Sequence, residues 1–259
     1  MSSLFRSLET MAAKGAEGLA PDARKALSDA LIRLRPPDPY YSFFAWLCLR
    51  ALNPSDPEAA AVERHLLTCT PTSPVDALCV RLVKLNATPS ALTKLRALFF
   101  VLLNPPRDVY ASFLSALTLD SVFASGIPKP LKRLIEKNIR VTPNATTPRL
   151  VAKLTLTAPS HPDFETLKNA LLQRRSPTGG FTSSANASAP DLLATAVARF
   201  ALMATPASLT PEHTAADLAF TETCWADDDL FGPVPNPAHG DTEHTFYALL
   251  TLGTCRKDF

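Results

Sequence analysis

Apolar positions along this chain fall into two kinds of segment that take turns. In the first kind they recur every three or four residues with charge opposite, as in Leu27, Ala30, Leu31 and Leu34. That is the period of a helix with one face in a core and the other in water. Five more segments share it: Ala59, Val62, Leu66 and Leu67; Leu92, Leu95, Leu98 and Phe99; Leu131, Leu134, Ile135 and Ile139; Phe164, Leu167, Leu171 and Leu172; and Ala216, Leu218 and Ala219. The second kind is apolar almost all round, as from Tyr41 to Leu47 or from Phe246 to Leu250, and such segments begin near residues 38, 74, 107, 148, 191 and 241. Ser55, Ser73-Pro74, Thr88-Pro89, Thr147-Pro148 and Thr210-Pro211 read as helix starts, with a capping side chain or a first-turn proline. No stretch keeps the two-residue alternation of a strand. A helix buried on every side needs half-exposed helices around it, so six of each predict an all-α barrel of two concentric layers. A helix over residues 1–18, carrying Leu4, Phe5, Leu8 and Met11, precedes the six pairs of residues 19–255, and 1–259 reads as a single domain.

One segment occurs twice near the C-terminus. A shift of 50 residues places Phe181 on Phe231, Asn186 on Asn236, Asp191 on Asp241, Thr195 on Thr245 and Leu202 on Leu252. Each copy is a Gly/Pro/Asn-rich loop, then an Asp, then an apolar helix, the mark of a repeated supersecondary unit. The Asp-then-Ser/Thr step of four recurs at Asp38/Ser42 and Asp108/Ser112. The two loops, 179–190 and 229–240, are therefore expected to be alike, at one end of the barrel, with Phe181 and Phe231 buried.

Composition narrows the function classes. A net charge of +2 with no basic block gives no footprint for nucleic acid. With 24 Pro and 8 Gly, the chain has many helix starts and stiff corners. The longest apolar run, Ala97 to Leu103, is far short of a membrane span, and residues 1–18 do not read as a secretory signal or a transit peptide. Five Cys without a CxxC pair are expected as buried, reduced thiols in a cytoplasmic protein. There is no phosphate loop, dinucleotide fingerprint or nucleophile elbow.

Gly179-Gly180-Phe181 followed by Asp191, and more closely the run from Asp241 to Leu250, resemble the repeat of terpene (squalene) cyclases and protein prenyltransferase β-subunits. The resemblance covers residues 160–255. It implies an (α/α)6 toroid of six helix hairpins whose inner helices line an apolar cavity for an isoprenoid. It also brings catalytic motifs to test. The only acidic cluster, Asp227-Asp228-Asp229, has Ala226 where the cyclase Asp-x-Asp-Asp motif needs its first Asp, and Phe231 where a diphosphate-binding motif needs its last. The prenyltransferase zinc ligands fall on Asp191, Leu193 and His244, and leucine cannot replace the thiolate. No cofactor and no resident metal are therefore expected.

Asp191, Asp241 and His244 remain as candidate acid/base groups, with helix capping and a satisfied structural histidine as the plain alternatives. Tyr40, Phe43, Tyr110, Phe246 and Tyr247 are the expected cavity lining, among inner-helix aromatics that include Tyr41, Phe44, Trp46, Phe113 and Phe200. The leading expectation is a toroid without the recognised catalytic motifs that binds a hydrophobic, isoprenoid-like molecule or a protein partner. A divergent enzyme acting on an isoprenoid diphosphate or polyene, and a non-catalytic interaction scaffold with a filled centre, stay open. So does peripheral contact with a membrane.

Overall fold

The computed structural model describes residues 4–34, 36–104, 109–123, 130, 133, 141–142, 144–157, 159–203 and 209–256. Among them lie twelve helices: α1 (Leu4–Glu17), α2 (Pro21–Leu34), α3 (Pro39–Leu52), α4 (Pro57–Thr68), α5 (Pro74–Ala87), α6 (Ala91–Leu103), α7 (Val109–Val122), α8 (Thr147–Leu156), α9 (Asp163–Leu172), α10 (Leu192–Leu202), α11 (Pro211–Thr223) and α12 (Thr242–Cys255). Strands β1 (Phe181–Thr182) and β2 (Pro190–Asp191) form a small antiparallel sheet between α9 and α10. The first helix expected in the fourth pair, with Leu131, Leu134, Ile135 and Ile139, lies outside the described residues, as does Asp108.

The starts follow from local chemistry. Asp38, Asp56, Ser73, Ser90, Asp191, Thr210 and Asp241 each accept a backbone N–H of the first turn, satisfying donors that no carbonyl can reach. Ser73 with Asp76 and Thr210 with His213 close reciprocal capping boxes. Three expected starts shift. Thr146, not Thr147, precedes α8, and its side chain makes no capping hydrogen bond. Asp56, not Ser55, caps α4, because Pro57 then occupies the first helical position. Ser90, not Thr88, caps α6, since Pro89 holds its predecessor out of the helical region.

The two kinds of segment separate in space. Helices α3, α5, α7, α8, α10 and α12 each contact the next, and α12 contacts α3, so the contacts run in a closed circuit. Its members are buried almost all round, with Phe43 to Leu49 of α3 and Thr245 to Thr251 of α12 shut off from water. Helices α2, α4, α9 and α11 bury one stripe against them. Helix α6 departs from expectation. Ala97 and Val101 face the core, while Leu92, Leu95 and Phe99 are exposed. With Leu98 and Phe100 partly buried beside that pair, α6 packs on α5 and α7 through this side and leaves the other large residues outward.

The N-terminal helix does not stand beside the pairs. Helix α1 packs on α12, α3 and α7, members from opposite sides of the circuit, and so crosses the space that the circuit encloses. Phe5, Leu8, Met11, Ala12 and Ala16 are buried beneath it. Leu4 N–H donates to Asp120 on α7, and Arg256 beyond α12 donates to the carbonyl of Gly18. A Cβ on Gly15 would stand 1.9 Å from Leu249 O, and one on Gly253 would stand 1.7 Å from Met11 O. The two backbones touch, and only glycine permits it.

The repeat folds as the shift predicts. Phe181 and Phe231 are 0% and 2% exposed, and their N–H groups donate to Thr195 Oγ1 and Thr245 Oγ1 at 2.9 and 3.1 Å. Phe181 pairs with Asp191, and Phe231 bridges to Asp241 in the same register. Each loop braces the preceding inner helix at one position of the repeat. Ser183 O accepts from Thr147 N and Pro233 O from Leu192 N.

Candidate functional site

Where α1, α3, α7 and α12 meet they leave an apolar cavity of about 30 Å³. Four expected residues line it: Tyr40, Phe43, Phe246 and Tyr247. The fifth, Tyr110, has its side chain outside the described residues. Phe44 joins them, with ring centroids 5.7 Å from both Phe246 and Tyr247 and 5.0 Å from Tyr40. Leu47, Phe113, Leu114 and Leu117 complete the wall, and Phe5 and Leu8 of α1 enter it. Trp46 stacks on Phe5 and Phe200 is buried, but neither lines the cavity; Tyr41 is 40% exposed. The void suits a water or two, whereas pockets for drug-sized ligands run to about 300–1,000 Å³. Four of the five aromatics meet at this one cavity, with Phe5 and Leu8 of α1 beside them.

At the N-terminal ends of α10 and α12 a polar cluster borders this aromatic wall. Asp191 and Asp241 are first of all caps, accepting from Ala194 N at 2.7 Å and from His244 N at 2.8 Å. Asp241 uses its other oxygen on His244 Nδ1, also at 2.7 Å. Burial works against a charged His244, but the Asp241 hydrogen bond and the charges of Asp241, Glu243 and Asp191 outweigh it and raise its pKa. The Asp191 carboxyl is raised too, by burial, against the opposing pull of Ala194 N–H, Ser183 and His244. The three candidates thus share one electrostatic neighbourhood.

Glu243 belongs to this cluster, and sequence reasoning passed over it. Only 7% exposed, it accepts from the Tyr40 hydroxyl at 2.8 Å, and a hydrogen bond ties it to Tyr247. Burial is the main cause of its raised pKa, opposed by those hydroxyls and by His244. Its carboxyl, hydrogen-bonded to two tyrosines of the cavity wall, stands at the edge of the aromatic cavity. Its charged, helical context gave no signal, since a Glu in a first turn is ordinary.

Among the described residues no group of three or more His, Cys, Asp or Glu is placed to hold a metal ion. Leu193, where the resemblance expects a thiolate, is an apolar side chain packed on the core. The thiols offer no substitute. Cys48, Cys79, Cys224 and Cys255 are buried; Cys69, at the end of α4, is only partly so, against expectation. Burial pushes the Cys224 pKa up to about 12 and those of Cys48 and Cys79 well above the ordinary value. The acidic run has a local role. Asp228 accepts from Gly240 N at 3.1 Å, and Asp229 takes the left-handed conformation, φ 64°, at the repeat position of Gly179.

A second buried charged group lies in the first copy. Asp217 of α11 accepts from Arg199 at 2.7 Å, from Arg175 at 3.0 Å and from Gly180 N at 2.8 Å, and both Asp217 and Arg199 are nearly inaccessible. Both Asp217 oxygens are occupied, so this assembly holds the loop in place. Comparison with family models, with curated proteins and with solved structures finds no match.

Proposed function

We propose that this chain is a six-hairpin (α/α)6 toroid of the terpene cyclase and prenyltransferase kind that works as a non-catalytic interaction scaffold. The observation that supports the reading is the position of α1. Phe5 and Leu8 stand where the resemblance puts an isoprenoid, and they leave about 30 Å³. Admitting a ligand would require α1 to withdraw from a backbone-to-backbone crossing at Gly15 and Gly253. Asp191 and Asp241 are committed to capping, and His244 to Asp241, and among the described residues no group of three His, Cys, Asp or Glu is placed to hold a metal.

The test uses the full chain with farnesyl diphosphate and with squalene, read by native mass spectrometry and product analysis. Neither a bound ligand nor a product is expected. Stoichiometric ligand on the wild-type chain overturns the filled-centre reading. A product whose formation is lost in both Glu243→Gln and His244→Ala replaces it with a divergent enzyme, the alternative favoured by the raised Glu243 carboxyl beside the aromatic wall.

A further inference from the structure

Helix α6 carries the largest exposed apolar face among the described residues. Leu92, Leu95, Phe99, Leu102 and Leu103 are 55%, 48%, 53%, 38% and 76% exposed. At 100° per residue they fall on one side of the helix, a continuous stripe rather than scattered singles. The stripe is not a by-product of a poor core, because Ala97 and Val101 of the same helix are buried at 1% and 4%.

The helix and the chain leading to it carry charge of one sign. From Ala77 to Asn104 the chain has the cations Arg81, Lys84, Lys94 and Arg96 and no Asp or Glu, in a protein that has 24 acids. Arg96 is exposed at the edge of the stripe and Lys94 stands further round the helix. A second copy of α6 laid on the stripe would offer Arg96 no carboxylate. An apolar surface carrying negative charge meets both demands at once, burying the leucines while its anions face the cations. At 13 residues α6 cannot span a bilayer but can lie along one.

We infer that α6 is a membrane-docking helix that sets the protein on an anionic lipid surface, with Leu92, Leu95, Phe99, Leu102 and Leu103 entering the headgroup boundary. The inference rests on α6 alone and is independent of what the centre of the toroid holds. Flotation of the full-length protein with phosphatidylcholine vesicles, with and without phosphatidylserine, tests it. Binding to the anionic vesicles should be at least about tenfold tighter and weaken as salt rises. A Leu95→Ser/Phe99→Ser variant should lose binding while keeping its thermal midpoint, since both positions are exposed. Arg96→Gln, at the edge of the stripe, should weaken binding by about fivefold while leaving the stripe intact, and Lys94→Gln, further round the helix, should weaken it less. Absence of vesicle binding, or binding indifferent to all these changes, overturns the proposal. A dimer in solution that Phe99→Ser dissolves also overturns it and assigns the face to a second copy.

Discussion

The two copies of the repeat make the same loop and are then held by different forces. In both, the Phe N–H reaches a Thr hydroxyl fourteen residues on, the Asp caps the helix, and the loop carbonyl braces the previous inner helix. Beyond the loop they diverge. Arg199 of the first copy is buried against Asp217; the corresponding position of the second is Leu249, whose backbone touches Gly15. Leu193, Ala196 and Val197 in the first copy correspond to Glu243, Phe246 and Tyr247 in the second. One helix is anchored by a buried charge group, the other by a close crossing and an aromatic wall. A repeat fixes what is local to it. The neighbour, here α11 or α1, decides how the rest of the helix is satisfied.

The most damaging way to break this contrast is to remove Asp217. Asp217→Ala leaves Arg199 buried without its carboxylate, and the loss should be about 3–5 kcal/mol by urea unfolding. A loss under about 1 kcal/mol would mean that charge does not anchor the first copy.

What the copies share should respond alike. Phe181→Ala and Phe231→Ala should each cost about 3–5 kcal/mol, because both rings are fully enclosed. Unchanged thermal midpoints in both variants would show that the rings are not anchors.

Gly253→Ala probes the second copy only. Its methyl would meet Met11 O, and α1 must move away at about 1–3 kcal/mol. Calorimetry gives the cost, and binding of a small apolar dye should rise as the centre opens. Full stability with no dye binding would show that α1 is not pressed into the space.

The smallest effect is in pH dependence. The Glu243 carboxyl is raised, so the folded chain keeps a proton that the unfolded chain gives up. Its contribution to stability is complete below its ordinary value of 4.5 and is lost as pH climbs through the raised one. His244, also raised, acts in the same direction from 6.5 upward. Glu243→Gln should therefore gain on the wild type as pH rises across this window, measured as the difference in thermal midpoint. Leu193→Gln at the matching place of the first copy should show no such pH-dependent difference. A constant difference for Glu243→Gln would mean that its burial is not felt by the proton.

Part of this architecture was readable before any coordinates. The alternation of amphipathic and all-apolar segments separated the helices buried almost all round from those with one wet face, since a helix's face pattern reports how many of its sides meet water. The 50-residue shift gave two buried rings, two capping aspartates and a common loop, because those features rest on contacts close in sequence. The candidate site was half legible. Tyr40, Phe43, Phe246 and Tyr247 lay on segments apolar almost all round, and a helix of that kind has a side to turn toward a shared cavity.

Tertiary structure alone decided the rest. The pattern of Leu4, Phe5, Leu8 and Met11 called for a helix with a buried face, but nothing in it named α12, α3 and α7 as the cover. Gly15 and Gly253, 238 residues apart, disclose their purpose only when the two backbones touch. Glu243 has the sequence of a solvated first turn and the surroundings of a buried acid. Leu92, Leu95 and Phe99 have the sequence of a core face, and Ala97 and Val101 took that place. Periodicity states that a face must be covered. What covers it depends on contacts between segments far apart in the chain, and those are made only in the folded protein.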